Sequence, residues 1–299
     1  MIIPAPVVAG ATIGVVAPAG VVKPEALERG LSLLRSWGFA VRLGEHVLAR
    51  KRYCAGEPAE RAGDFEAMLR DAEVAAIICA RGGFGTAQVL PLLDPTLIAA
   101  NPKLVCGYSD ISPLLGFLVE RCGMAAVHGP MVASDLSKGL EDRAGQRMRA
   151  LLEAPAMPWR EPVPEVVAPG VASGRLTGGC LSSLVALLGT PYAVETEGAV
   201  VFLEDVAERP YRIDRMLTQL RLAGKLDGVA AVVLGSFADC DGHEEGDKAA
   251  LVLHEFFRDA PYPVVAGFPA GHLSVNLPLT FGLVTRVDAN QGYVEVVGA

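Results

Sequence analysis

Between residue 12 and about residue 130 the chain alternates short apolar runs with helical patterns, and this rhythm limits its possible folds more than any other feature. TIGVVAPAG precedes PEALERGLSLLRSWGF, VRLGEHV precedes PAERAGDFEAMLRDAEV, and KLVCGYSD precedes ISPLLGFLVERCG, with AAIICARGG between them. A strand followed by a helix, repeated, predicts a mainly parallel sheet with helices on both faces. IGVVA, AAIICA and KLVCGY read as continuous apolar runs, as strands buried on both faces do. Ligands of such sheets gather beyond the carboxyl ends of the strands, so the residues that follow each run are where function is expected.

The segment EAPAMPWREPVPEVVAPG, residues 153–170, is too rich in proline for a helix or a central strand. It predicts an extended linker over 156–170, between an N-terminal α/β domain at 1–155 and a second domain at 171–299. A length of 299 residues suits two domains, at roughly 150 residues each. The second half mixes a Gly-rich segment, SGRLTGGCLSSLVALLGTPY, with strand-like AVVFLED and GVAAVVLGSF, a helical PYRIDRMLTQLRLAG and a closing VTRVDANQGYVEVVG with the pattern of a hairpin. A β-rich α+β domain is expected there.

Acidic residues number 34 against 26 basic, a net charge of −8, which argues against nucleic acid as a partner. The amino terminus is apolar but has no basic residue before Lys23 and is broken by Pro4, Pro6, Gly10 and Gly14, so neither a secretory signal nor a membrane span is expected. Six scattered cysteines without a CxxC pair predict reduced thiols in a cytoplasm.

Ser109 follows the apolar run KLVC and precedes a helical pattern, which places it on a strand-to-helix turn. There a hydroxyl stands above the sheet and the N–H groups of the helix start face any oxyanion formed on an attacked carbonyl. Only half of a GxSxG elbow is present, with Ile111 where the second Gly would stand, and helix capping by Ser109 and Asp110 is the simpler alternative. ARGGFG, residues 80–85, also ends a strand: Gly82 and Gly83 permit close backbone approach, and Arg81 suits a carboxylate. Neither GxxxxGK[ST] nor G-x-G-x-x-G occurs, so a nucleotide cofactor has little support. Among the histidines, His46 and His254 fall in a polar loop and a helical pattern, while His128 and His272 each end an apolar segment beside Gly; spacing does not choose between those two. Glu204 and Asp205 end the apolar strand AVVFL, where a carboxylate would partner a histidine or merely cap a helix. The loop with Asp239, Asp241, His243, Glu244 and Glu245 has metal-ligand residue types without a metal-site spacing and is expected to be solvated.

Taken together, ARGGFGTA at 80–87, GYSDIS at 107–112, HGPM at 128–131, GGCLSSLVALLGTPY at 178–192, FLEDVAERPYRIDRMLTQL at 202–220 and the late GH with Asn276 resemble the serine LD-carboxypeptidases, the muramoyltetrapeptide carboxypeptidase family, which includes the microcin C self-immunity peptidases. The resemblance implies a flavodoxin-like parallel-sheet domain, a β-rich second domain and an active site in the cleft between them. It implies Ser109 as nucleophile, His272 as general base and Glu204 as the carboxylate orienting the imidazole, with an oxyanion hole from the main-chain N–H of Asp110 and of Gly82 or Gly83. It further implies a cytoplasmic muropeptide tetrapeptide as substrate, D-alanine as leaving group, a homodimer, and no metal or other cofactor. Leu273 and Thr280 depart from the family pattern, in the loop after the histidine and before Phe281-Gly282. A microcin-type peptidase acting on an aminoacyl-nucleotide, with Trp159 stacking on the base, is one rival reading; a non-catalytic flavodoxin-like binding module is another.

Overall fold

The computed structural model describes residues 1–140, 143–244 and 246–297. Two compact units divide the chain: Met1–Ala156 with Leu277–Phe281, and Met157–Asn276 with Gly282–Ala299. In the first, β1 (Thr12–Val16), α1 (Pro24–Ser36), β2 (Ala40–Leu43), α2 (Pro58–Arg70), β3 (Val74–Cys79), α3 (Thr86–Val89), α4 (Pro95–Ala100), β4 (Leu104–Gly107), α5 (Ser112–Glu120), β5 (Ala126–His128) and α6 (Arg143–Glu153) follow in order. The five strands are parallel in the order β2-β1-β3-β4-β5, as the βαβ rhythm requires. This is the flavodoxin-like order, and its switch point lies between β1 and β3.

Local sequence accounts for the helices. Pro24 stands at the start of α1 with its ring preset for a helical φ, and Leu27, Gly30, Leu31 and Leu34 recur at helical spacing on the buried side. Gly30 has to lack a side chain, because a Cβ there would lie 2.0 Å from the Val132 carbonyl oxygen. α2 begins with a capping box between Glu57 and Glu60.

The second unit holds β6 (Trp159–Pro162), β7 (Glu165–Ala168), β8 (Val171–Cys180), α7 (Leu181–Val185), β9 (Ala199–Val206), α8 (Pro210–Leu222), β10 (Ala231–Ala238), α9 (Ala249–Phe257) and β11 (Val264–Ala266). The chain then contributes β12 (Leu279–Phe281) to the first unit, antiparallel to β5, and returns as β13 (Val284–Asp288) and β14 (Tyr293–Val296). The last two form the expected hairpin. The eight-stranded sheet runs β6-β14-β13-β8-β9-β10-β11-β7, with β8 to β11 parallel. Residues expected as a linker over 156–170 thus include two strands. Both lie at the edges of the sheet, where a proline costs no ladder hydrogen bond, so Pro162 and Pro164 are tolerated in or beside them.

Side chains of β9 alternate between two environments. Ala199, Val201 and Leu203 pack into a core with Leu181 and Leu184 of α7, Ile213 and Leu217 of α8 and Leu253 and Phe257 of α9. The residues between them face the other way, where Phe202 meets Phe268 edge to face and Trp159 packs against Phe268. All six cysteines are buried thiols. None of the described helices is long and apolar enough to cross a membrane.

Candidate active site

β4 ends at Gly107, Tyr108 continues extended, and Ser109 opens a short 3-10 turn that leads into α5. Ser109 adopts φ +62°, a left-handed conformation that costs a non-glycine residue about 1–2 kcal/mol. This is a strained strand-to-helix turn, the kind that lifts a side chain above the sheet. A second Gly is not required: Ile111 is fully buried and folds back over Gly107, whose absent Cβ would lie 2.8 Å from Ile111 Cγ2.

The Gly-rich loop after β3 sits against this turn. A Cβ on Gly82 would stand 2.8 Å from Ser109 Cβ, 3.0 Å from its Oγ and 3.3 Å from the Asp110 nitrogen. The N–H groups of Gly82, Gly83 and Asp110 make no hydrogen bond among the described residues. Asp110 holds the loop in place, its carboxylate accepting from Thr86 N–H at 2.9 Å. Burial raises the Asp110 carboxyl to about 6, opposed by the N–H groups of Thr86 and Gly85 and by the charge of Arg61. Arg61, itself buried, donates to the carbonyls of Pro18 (2.5 Å) and Gly85 (2.8 Å) and to Gln88 (2.7 Å), tying the loop after β1 to the loop after β3. Sequence reasoning passed over Arg61; its signal is an arginine among the apolar positions of α2, beside Ala62 and Phe65. Gly82→Ala is expected to displace the Ser109 hydroxyl and to lower kcat about a hundredfold or more, the size of loss that a small misplacement of a reacting group gives. Single-turnover acylation with unchanged circular dichroism measures this.

In the second unit Glu204 and His272 come together. Nδ1 of His272 lies 2.6 Å from Glu204 Oε2, with the carboxylate fully buried and the imidazole 17% exposed. A carboxylate only accepts, so Nδ1–H is the donor of this hydrogen bond. The loop is shaped for this contact. Gly271 has φ +104°, and a Cβ there would lie 2.7 Å from Glu204 Oε2; its N–H donates to the buried Asn276 side chain at 2.9 Å. Asp205 points to the other face of β9, where its carboxylate accepts from Ser182 N–H (2.8 Å) at the start of α7 and from its neighbour Val206 N–H (2.8 Å).

Other candidates fall elsewhere. His128 is fully buried at the end of β5, against the rings of Tyr108 and Phe281. His46 pairs with Asp64 at 2.8 Å, which raises its pKa, and His254 lies in the last turn of α9. Arg81 is half-buried beside the Gly-rich loop and donates to the Val21 carbonyl at 2.9 Å. In the acidic loop Asp241 pairs with Lys248, Glu245 lies outside the described residues, and no cluster suited to a metal ion occurs among the described residues.

The sequence matches the LD-carboxypeptidase N-terminal domain over residues 13–129 and the LD-carboxypeptidase C-terminal domain over residues 173–287. A Bacillus subtilis protein named a probable murein peptide carboxypeptidase is 37% identical, over 91% of this chain and 87% of its own. The murein tetrapeptide carboxypeptidase of Pseudomonas aeruginosa is 32% identical, over 93% and 94%. The solved structure of the microcin C7 self-immunity protein MccF, a protein of Escherichia coli, superposes with a TM-score of 0.92 over 100% of this chain and 99% of that one, at 24% identity, which shows a shared fold. With both family domains matched in order and relatives above 30% identity along nearly its whole length, this chain belongs to the LD-carboxypeptidase family of serine peptidases.

Proposed function

We propose that this protein is a cytoplasmic serine LD-carboxypeptidase that releases terminal D-alanine from muropeptide tetrapeptides in peptidoglycan recycling. The observation that carries the reading is Ser109 held at φ +62° over Gly82. In the reaction, Ser109 Oγ attacks the carbonyl carbon of the last peptide bond and passes its proton to Nε2 of His272, with Glu204 stabilising the imidazolium through Nδ1. The carbonyl oxygen becomes an oxyanion. The N–H of Asp110 and one glycine N–H of the 82–83 pair receive it, each such donor contributing about 3–4 kcal/mol to the transition state. Gly83 is the better second donor: Gly20 N–H holds the Gly82 carbonyl at 3.0 Å, which turns the Gly83 N–H, across the same planar peptide, the opposite way. The intermediate then collapses, the C–N bond breaks, and the amine of D-alanine leaves with the proton from His272. Water, deprotonated by the same imidazole, hydrolyses the acyl-enzyme and restores Ser109.

Arg81 is assigned to the free carboxylate of the departing residue, since a guanidinium offers more than one donor and the Val21 carbonyl occupies only one of its nitrogens. The same family reading carries a homodimer, which sedimentation measures.

The test is the bond itself. A muramoyl tetrapeptide is expected to yield free D-alanine by mass spectrometry. A pentapeptide bearing a second D-alanine is expected to be refused because the extra residue displaces the terminal carboxylate, and an all-L tetrapeptide because inversion misplaces its methyl or its carboxylate. Arg81→Met is expected to raise KM for the tetrapeptide. Efficient cleavage of the pentapeptide or of the all-L peptide would overturn the reading.

A further inference from the structure

Three loops of the first unit meet where the strand order reverses between β1 and β3, and the proposed reaction leaves one of them without a role. Gly20, after β1, is bonded to the Gly-rich loop through Gly82. The third loop is the turn 51–54, closed by Lys51 N–H to the Cys54 carbonyl (2.9 Å) and Cys54 N–H to the Lys51 carbonyl (3.0 Å), with Arg52 and Tyr53 at its two central positions. It is laced to the other two. Val21 N–H donates to the Tyr53 carbonyl (3.0 Å), Ala55 N–H to the Ala19 carbonyl (3.0 Å), and the Cys54 thiol to the Phe84 carbonyl (3.4 Å).

Two features of this platform are unexplained by folding. Arg52 has φ +56° at the first central position of a tight turn, where glycine is at ease and arginine is strained. Strain of this kind persists where something other than stability depends on the residue. Tyr53 and Phe84, 59% and 50% exposed, stand edge to face with ring centroids 5.6 Å apart and offer two aromatic faces to solvent. Charge adds a third observation. Arg50, Lys51 and Arg52 form a basic stretch on a chain of net charge −8; Lys51 pairs with Glu57, while Arg50 and Arg52 have no ion pair among the described residues. A cavity of about 160 Å³ opens beside Arg52 and Tyr53, reaching Gln88.

We infer that the Arg52–Tyr53 turn, with Phe84, is a subsite for a carboxylate-bearing peptide stem on the acyl side of the scissile bond, an assignment that rests on the proposed carboxypeptidase reaction. The side follows from length. An enzyme that removes one residue has only about 3.5 Å of substrate on the leaving side, and the proposed reaction already assigns Arg81 there, whereas Arg52 and Tyr53 stand on a further loop. Only the longer acyl part reaches that far. A guanidinium without an ion-pair partner among the described residues presents its fork of donors to a carboxylate, and the two rings take the apolar faces of the stem beside it.

Binding of the tripeptide product, which is not cleaved, tests the subsite apart from catalysis. By calorimetry on the full chain, Arg52→Gly is expected to weaken the free-acid tripeptide about tenfold and to leave unchanged the same peptide with its side carboxylate amidated. The thermal midpoint is expected to hold or rise, because glycine relieves the backbone. Tyr53→Ala combined with Phe84→Ala is expected to weaken both peptides alike. Equal affinity of wild type and Arg52→Gly for the free-acid tripeptide, or no binding to wild type, overturns the inference. Tripeptide binding without D-alanine release from the tetrapeptide overturns the proposed reaction and leaves the subsite standing.

Discussion

Ser109→Ala is expected to lower D-alanine release roughly a millionfold, to the residual rate that binding and oxyanion stabilisation sustain alone. The fold should survive, since Ser109 is a half-buried turn residue outside the apolar core. A second substitution separates chemistry from backbone strain. Alanine retains the left-handed penalty at φ +62° but glycine does not, so Ser109→Gly should be as inactive as Ser109→Ala and more stable by about 1 kcal/mol. Thermal midpoints of the two variants measure that difference. EDTA is expected to leave the wild-type rate unchanged; inhibition reversed by zinc would remove Ser109 from the centre of the mechanism.

Glu204→Gln is expected to cost about ten-thousandfold in kcat, because an amide in place of the buried carboxylate can hold the wrong imidazole tautomer and cannot stabilise its cation. Asp205→Asn, one residue away, should leave kcat within a few-fold. Its effect should fall on stability instead. Both Asp205 oxygens receive backbone N–H groups, from Ser182 and from Val206, so an amide leaves one N–H facing another, a loss of about 1–3 kcal/mol. Urea unfolding and steady-state kinetics on the same two variants give both numbers, and equal kinetic losses would mean that the orienting acid is misassigned.

Much of this architecture was open to inspection of the residues alone, for identifiable reasons. β1, β3 and β4 are buried on both faces and therefore read as unbroken apolar runs, and each ends in the small residues that a binding turn requires. β6 and β7 did not read as strands, because a high proline content looks the same in an edge strand and in a linker. Glu204 and Asp205 were indistinguishable locally; what separates them is the face of β9 on which each falls, a property of the neighbouring helices. His128 and His272 likewise matched in context. The three residues of β12 part them, since Leu279 pairs with His128 and Phe281 packs against its ring. No short-range signal in LTF announces that pairing.

That returning strand also shapes how the protein comes into being. On the ribosome, the N-terminal sheet emerges with β5 as an open edge, its backbone donors and acceptors offered to any passing strand. The segment that closes the edge is made only after nearly all of the second unit has emerged, so the first unit waits, incomplete, while its partner is synthesised. Pairings so distant along a chain form slowly, and the interval is one in which misassociation competes with folding. A cut after Ala156 would make this exposure permanent. The two units are consequently one folding problem: the strand that follows the His272 loop is the piece that finishes the sheet carrying Ser109.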